Sequence, residues 1–142
     1  MIINSEKPSI NIYVNNGDKS LLTEILAGIE EEGLPFEIFY KDFKKEDLIK
    51  GGYTASQESR MGIGIGMYER TIVMHYNKLK ESEPIFYGEL SFYEREKSRR
   101  IGCNAARLYK IMPFKDLVID LDKKLVESIK LSVIEVLKGK LS

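Results

Sequence analysis

Apolar and polar residues alternate through Ser9-Ile10-Asn11-Ile12-Tyr13-Val14, with β-branched side chains on one face, which predicts a half-buried strand. Asn15-Asn16-Gly17-Asp18 interrupts the alternation. Leu21, Leu22, Ile25, Leu26 and Ile29 then recur at helical spacing, within about 140° of arc when projected at about 100° per residue. Gly33 follows where a left-handed C-terminal cap belongs, and Pro35 forbids continuation. Pro35-Phe36-Glu37-Ile38-Phe39-Tyr40 reads as a second strand. Strand, helix and strand with short joints favour a parallel pair under its crossover helix.

From Lys41 to Gln57 the chain is polar, with Gly51-Gly52 in the middle and only Phe43, Leu48 and Ile49 at helical spacing, so a loop with a short helix is expected. Met61 to Met67 alternates glycine with apolar residues, Tyr68-Glu69-Arg70 can turn, and Thr71 to Tyr76 is rich in β-branched and aromatic residues. That pattern predicts a hairpin. Pro84 to Leu90 reads as a further short strand. From about Glu94 to Lys110 the residues Ile101, Ala105, Leu108 and Met112 align on one helical face, with Arg95, Arg99 and Lys110 opposite. After Pro113, a last helix from about Asp120 to Gly139 carries Leu125, Val126, Ile129, Val133, Val136 and Leu137 on one broad side. Interleaved in this order, the elements give an α/β sandwich whose sheet is mixed because the hairpin forces an antiparallel neighbour into it.

The chain's 142 residues suffice for one domain, 1–142, and leave no room for a second. Lys plus Arg balances Asp plus Glu at 22 each, which argues against a nucleic-acid partner gripped through many phosphates. Apolar runs fall far short of the ~20 residues needed to cross a bilayer. Met1-Ile2-Ile3-Asn4 has no basic-then-apolar leader, so a cytoplasmic location is expected. With Cys103 and His75 each alone of their kind, the chain by itself can form no disulfide, no cysteine-built zinc site and no multi-histidine metal site. No catalytic residue is assigned.

Gly62-Ile63-Gly64-Ile65-Gly66 has the look of a phosphate-cradling loop, but a turn and a β-rich run follow it where a helix is needed, and no Gly-Lys-Ser/Thr accompanies it. Glycines at alternate positions instead clear one face of a central strand for close packing. A lone His75 reads as structural, and Cys103 as a small buried hydrophobe despite its flanking arginines. Those arginines are either a solvated face or a grip for an anion or a carboxylate-bearing partner. Glu30-Glu31-Glu32 is the sharpest anomaly, because it places three carboxylates at the negative end of a helix dipole, where each exposed anion costs roughly 0.3–1 kcal/mol. Glu31 projects about 150° from the centre of the apolar face, away from the domain's own core. The run is either a soluble helix end or a group that something outside the domain requires.

Three stretches together carry a family resemblance: Glu24 to Phe36; Gly62-Ile63-Gly64-Ile65 with Met74-His75-Tyr76; and Arg100-Ile101-Gly102-Cys103-Asn104-Ala105-Ala106-Arg107-Leu108-Tyr109-Lys110 through Pro113-Phe114-Lys115-Asp116-Leu117. In order and spacing, over most of Ile10 to Leu117, they resemble the small subunit of the diol and glycerol dehydratase-reactivating factors, within the superfamily of the dehydratase medium subunit. The resemblance implies a three-layer α/β/α sandwich similar to anticodon-binding domains, with a mixed, mostly parallel sheet. It implies a non-catalytic, chaperone-like subunit paired with a large actin-like ATPase subunit in an α2β2 assembly. That assembly releases damaged cobalamin by exchanging subunits with the dehydratase, so the dehydratase large subunit is a second partner. It also implies a glutamate beside a divalent ion at the large-subunit interface, matched here to Glu31 with Mg²⁺, while the isolated subunit carries no cofactor. A bacterial microcompartment is a further possible setting. The alternative is an accessory, medium-type subunit of the cobalamin-dependent dehydratase itself. The family-like core spans about 9–117, and the helix over about 120–139 lies beyond it.

Overall fold

The computed structural model describes residues 7–118. Within them, strands β1 (Ile10–Asn15), β2 (Phe36–Tyr40), β3 (Ile63–Tyr68), β4 (Thr71–Tyr76) and β5 (Phe86–Glu89) alternate with helices α1 (Lys19–Glu31), α2 (Leu48–Glu58) and α3 (Arg95–Lys110). The sheet order is β2-β1-β3-β4-β5. β1 pairs in parallel with both β2 and β3, and β4 pairs antiparallel with β3 and β5. All strands but β4 therefore run in one direction, as a crossover helix followed by a hairpin requires.

The ends of α1 follow from its sequence. The Asp18 carboxylate accepts from the N–H groups of Ser20 and Leu21 at 3.0 and 3.1 Å, satisfying donors that the first turn leaves orphaned. At the other end Gly33 takes φ +80°, its N–H donates to Glu30 O at 2.9 Å, and that of Leu34 donates to Ile29 O at 3.3 Å. This is the Schellman closure that the Gly33-Leu34-Pro35 stop anticipates.

One face of the sheet, from Ile10, Ile12 and Val14 through Ile63, Ile65 and Met67 to Ile72 and Met74, is buried with Leu21, Leu22, Ile25 and Ile29 of α1 and Ile101, Ala105 and Ala106 of α3. α1 and α3 cross at backbone distance. A Cβ on Gly28 would lie 2.1 Å from Arg99 O, and one on Gly102 would lie 2.1 Å from Ile25 O.

α2 covers the opposite face and departs from the sequence expectation. The polar stretch with Gly51-Gly52 is not mainly loop but a continuous helix over Leu48–Glu58. A Cβ on Gly64 would sit 2.2 Å from Ser56 N and 2.4 Å from Gly52 O, and one on Gly52 would sit 2.6 Å from Val73 Cγ1. An interior helical glycine costs about 0.5–1 kcal/mol against alanine. That cost is offset because bare backbone on both sides lets the helix settle onto the sheet. Gly64 and Gly66 thus have the packing role read from the glycine spacing, whereas Gly62 lies before β3 in a left-handed turn (φ +77°), and the three-layer α/β/α arrangement is complete.

α3 ends in a left-handed Ile111 (φ 55°), so Met112, expected on its apolar face, falls past the helix and is 41% exposed. The following segment returns along α3. Arg107 donates to Pro113 O, Asn104 exchanges bonds with the backbone of Lys115, and Arg100 donates to Asp116 O at 2.8 Å. The helix expected over about 120–139 lies outside the described residues.

Candidate functional site

The last turn of α1 and the outer side of α3 meet in a network of opposite charges. Arg99 donates through Nε to Glu31 Oε2 at 2.9 Å, and its Nη1 lies 3.5 Å from Glu24 Oε1. Lys115, carried in by the returning segment, places Nζ 3.4 Å from Glu31 Oε1. Glu32 receives Arg107 Nε at 3.1 Å and Lys110 Nζ at 2.9 Å. Lys110 also donates to the Glu32 carbonyl at 2.8 Å. The negative end of α1 is therefore neutralised by the helix packed beside it. The carboxylate-bearing partner that the α3 arginines can grip is α1 of the same chain.

The two glutamates differ in exposure. Glu32 is 8% exposed at its side chain, and its carboxyl is held below the usual range first by the hydrogen bond from Lys110, then by Arg107. Glu31 remains 42% exposed, and its carboxyl is lowered first by the Arg99 hydrogen bond and then by the charge of Lys115. Glu30 is exposed on the same turn. A carboxylate offers about four acceptor positions. Glu31 thus keeps accepting capacity toward solvent after Arg99 and Lys115 are counted. It fits the role of a single oxygen ligand to a hard cation, although two adjacent cationic side chains weaken such binding in the isolated chain. Among the described residues no group of three or more His, Cys, Asp or Glu side chains is gathered to hold a metal.

The other singled-out residues have structural environments. His75 is fully buried, its Nδ1 accepts from Tyr76 N–H at 3.0 Å, and its Nε2 donates to Glu81 O at 2.9 Å, with Tyr53 packed edge-on against the ring. Cys103 is buried against the α1 crossing, and burial pushes its thiol up, against the activation that flanking arginines suggest. A polar cavity of about 330 Å³ lies at the opposite end of α1, where the chain leaves β1, lined by Asn16, Asp18, Lys45, Glu69, Arg70 and Glu89 among others. The hairpin turn contributes Glu69 and Arg70 to the lining, with Asp18 N–H donating to Glu69 O at 3.0 Å and Glu69 at φ 52°.

Sequence reasoning found the acidic turn and the basic helix separately and missed their pairing. Complementary charge on two helices of one layer was the available signal. Nothing in the local pattern marked Lys115, which reaches Glu31 only because the chain doubles back.

The sheet order and the two helical layers define the chain as a three-layer α/β/α domain with a mixed sheet. A solved diol dehydratase-reactivating factor, in complex with ADP and Mg²⁺, is 34% identical with a TM-score of 0.71, over 78% of this chain and 100% of that one. A glycerol dehydratase reactivase shares the fold at 24% identity, with a TM-score of 0.70 over 78% of this chain and 99% of that one. The chain belongs to the dehydratase medium subunit family, whose sequence profile matches residues 7–115. It is 37% identical over 114 residues to the propanediol dehydratase-reactivating factor small subunits of Citrobacter freundii and Salmonella typhimurium, covering 80% of this chain and 95% and 96% of theirs. The diol dehydratase-reactivating factor small subunit of Klebsiella michiganensis is 35% identical over the same length, covering 80% of this chain and 89% of that protein. Among the described residues no helix is long and apolar enough to cross a membrane.

Proposed function

We propose that this chain is the non-catalytic small subunit of an ATP-dependent, chaperone-like reactivating factor for a cobalamin-dependent diol or glycerol dehydratase. The observation that carries the reading is the 37% identity to reactivating-factor small subunits across nearly their whole length. The chain works by binding. Its α1–α3 layer docks on a larger, actin-like ATPase subunit, and by exchange the domain stands in for the related subunit of the inactivated dehydratase, so that damaged cobalamin leaves. ATP hydrolysis belongs to the larger subunit, and the assembly acts in the cytoplasm, in association with a microcompartment where one is present.

Glu31 is the residue we assign to the interface. Its half-exposed carboxylate would give one oxygen to Mg²⁺, which adds positive charge between the two subunits' oxygen ligands. A nucleotide and Mg²⁺ are held by the related diol dehydratase-reactivating factor, which supports this assignment. Arg99 orients the Glu31 carboxylate by its 2.9 Å hydrogen bond, while Lys115 balances its charge when the chain is alone.

The test is co-purification of the tagged chain from cells expressing candidate partners. Recovery of a large ATPase subunit, weakened by Glu31→Gln and by a chelator, is the expected result. Equal affinity of both forms with and without chelator would remove Glu31 from the interface. The family's description favours a second reading, a medium-type subunit of the dehydratase itself. Stoichiometric recovery of dehydratase large and small subunits would establish that alternative instead.

A further inference from the structure

The sheet has two edges, β2 and β5, and they differ. β5 has only four residues, includes Gly88, and sets Glu89 within 3.9 Å of Lys45. Short, charged edges of this kind resist further pairing. β2 keeps an unbroken register of five residue pairs with β1, and Glu37 is its one charged residue. The ladder between them opens where Ile10 N–H donates to Pro35 O at 3.0 Å and closes where Lys41 N–H donates to Val14 O at 2.9 Å. The odd-numbered residues therefore turn their backbone groups to β1, and Phe36, Ile38 and Tyr40 turn N–H and C=O away from the sheet. Such a row is a template for another strand.

The side chains specify which strand fits. Glu37-Ile38-Phe39-Tyr40-Lys41 has opposite charges at equal distances from Phe39. Laid antiparallel on a second copy about a two-fold axis at Phe39, it sets Glu37 against Lys41 of the copy, Ile38 against Tyr40 and Phe39 against Phe39. Ile38 and Tyr40 are both outward-facing, so they form the hydrogen-bonded pairs, while the Glu37 to Lys41 and Phe39 to Phe39 pairs take the positions where side chains approach most closely. An axis at Ile38 would suit the backbone equally but would leave Glu37 opposite Phe39 and Lys41 opposite Pro35. The exposed Lys41 holds Nζ 4.9 Å from the Tyr13 ring centroid and 5.9 Å from that of Phe39, and Phe39 packs edge-on against Tyr13. Because Tyr13 bonds to Glu58 of α2, this charged and aromatic row lies on the α2 face, where the half-buried Glu37 belongs by alternation. Tyr40, 76% exposed, lies on the other face in line with Ile38, which packs at the margin of the core.

We propose that β2 is a self-pairing edge, through which two copies of this chain join their sheets as a closed, antiparallel, two-fold dimer. The proposal rests on β2 alone and is independent of the function proposed above and of Glu31. One strand edge is small beside the ~800 Å² per partner of a standard interface, so the dimer depends on concentration.

The experiment is sedimentation velocity of the full chain from about 1 μM to about 1 mM, a range that spans weak self-association. A monomer giving way to a dimer within it is expected. Tyr40→Pro deletes an outward N–H without touching the β1 ladder, and should raise the dimer Kd about tenfold or more. Glu37→Lys and Lys41→Glu each set like charges opposite one another, so each should weaken self-association about tenfold. An equimolar mixture of those two variants restores both opposite-charge pairs and should recover association of wild-type strength. Phe39→Cys should yield a disulfide-linked dimer on oxidation, because Cα atoms at that pair type stand about 4.5 Å apart, within disulfide reach. The native Cys103 is buried and does not compete. The charge reversals lie at an exposed and a half-buried position and keep the test decisive should Tyr40→Pro fold poorly. A wild-type chain that stays monomeric over the whole range would overturn the proposal. So would a dimer whose Kd is unchanged by both charge reversals.

Discussion

The two faces of the sheet are covered by different means. On one side α2 rests on glycines, Gly52 in the helix and Gly64 and Gly66 in the strand, in a contact between nearly bare backbones. On the other side α1 and α3 touch at Gly28 and Gly102, but around that crossing lie Glu24, Glu31, Glu32, Arg99, Arg107 and Lys110. The first layer makes its contact with the sheet through close backbone packing. The second keeps its close packing at the centre and its charge at the margin, where a carboxylate can be partly exposed without weakening the core. The residues that hold this layer together are thus separate from the charged residues at its margin.

Substitution at the two glycine crossings tests this contrast most severely. Gly64→Val drives its first carbon into the backbone of Ser56 and Gly52, and overpacking of this kind should cost about 3 kcal/mol or more in urea unfolding. Gly102→Ala meets the Ile25 carbonyl equally closely. It regains about 1 kcal/mol of helix propensity and two helices can slide apart, so its cost should be nearer 2 kcal/mol. If Gly102→Ala proved the more damaging, the α1–α3 layer would be the more rigid of the two.

Among the charges, Glu32→Gln should lower stability by about 1 kcal/mol, because a nearly buried carboxylate loses two cationic partners. Chemical denaturation at neutral pH and low salt measures it.

Acid should expose the same layer. Glu31 and Glu32 are depressed in the folded state below the ordinary value of 4.5, so their contribution is complete above that pH and is lost as pH falls through the lowered values. Stability of the wild type should therefore decline below pH 4.5, and Glu32→Gln should show a shallower decline over that interval. Parallel acid limbs for the two proteins would show that Glu32 is not linked to folding.

The smallest effect on the fold belongs to Glu31→Gln. At 42% side-chain exposure its ion pairs are screened by solvent, and its unfolding midpoint should stay within about 0.5 kcal/mol of wild type. Any larger effect should appear in assembly with the partner. A variant that unfolded readily would mean that Glu31 is structural, and the separation between core and docking margin would fail on the α1–α3 side.

Much of this architecture was legible in the chain. The alternation at Ile10 to Val14, the stripe from Leu21 to Ile29 and the Gly33-Pro35 stop each carry a local physical signal, and each element formed as read. Gly64 and Gly66 were legible as a packing device because a turn and a strand, rather than a helix, come after them, whereas Gly62 precedes β3 in a left-handed turn at φ +77°. α2 was not legible as a full helix. Gly51-Gly52 has low helix propensity, and only the sheet glycines opposite make that sequence favourable. Glu31 was legible as an anomaly of charge at a helix end, whereas its partners were not. Arg99 lies on another helix, and Lys115 arrives by a chain reversal after Ile111.

By itself the sequence determined the order and type of most elements, the stop of α1, the clearing of β3 and the acidic turn, because these depend on residues within a few positions of one another. The tertiary structure decided that Gly51-Gly52 would be helical and that the acidic turn would be neutralised by α3. It also left Glu32 nearly covered and Glu31 partly open. The physical reason is range: propensity, capping and periodicity act along the chain, whereas close backbone packing and ion pairing depend on which distant residues the fold brings within a few ångströms.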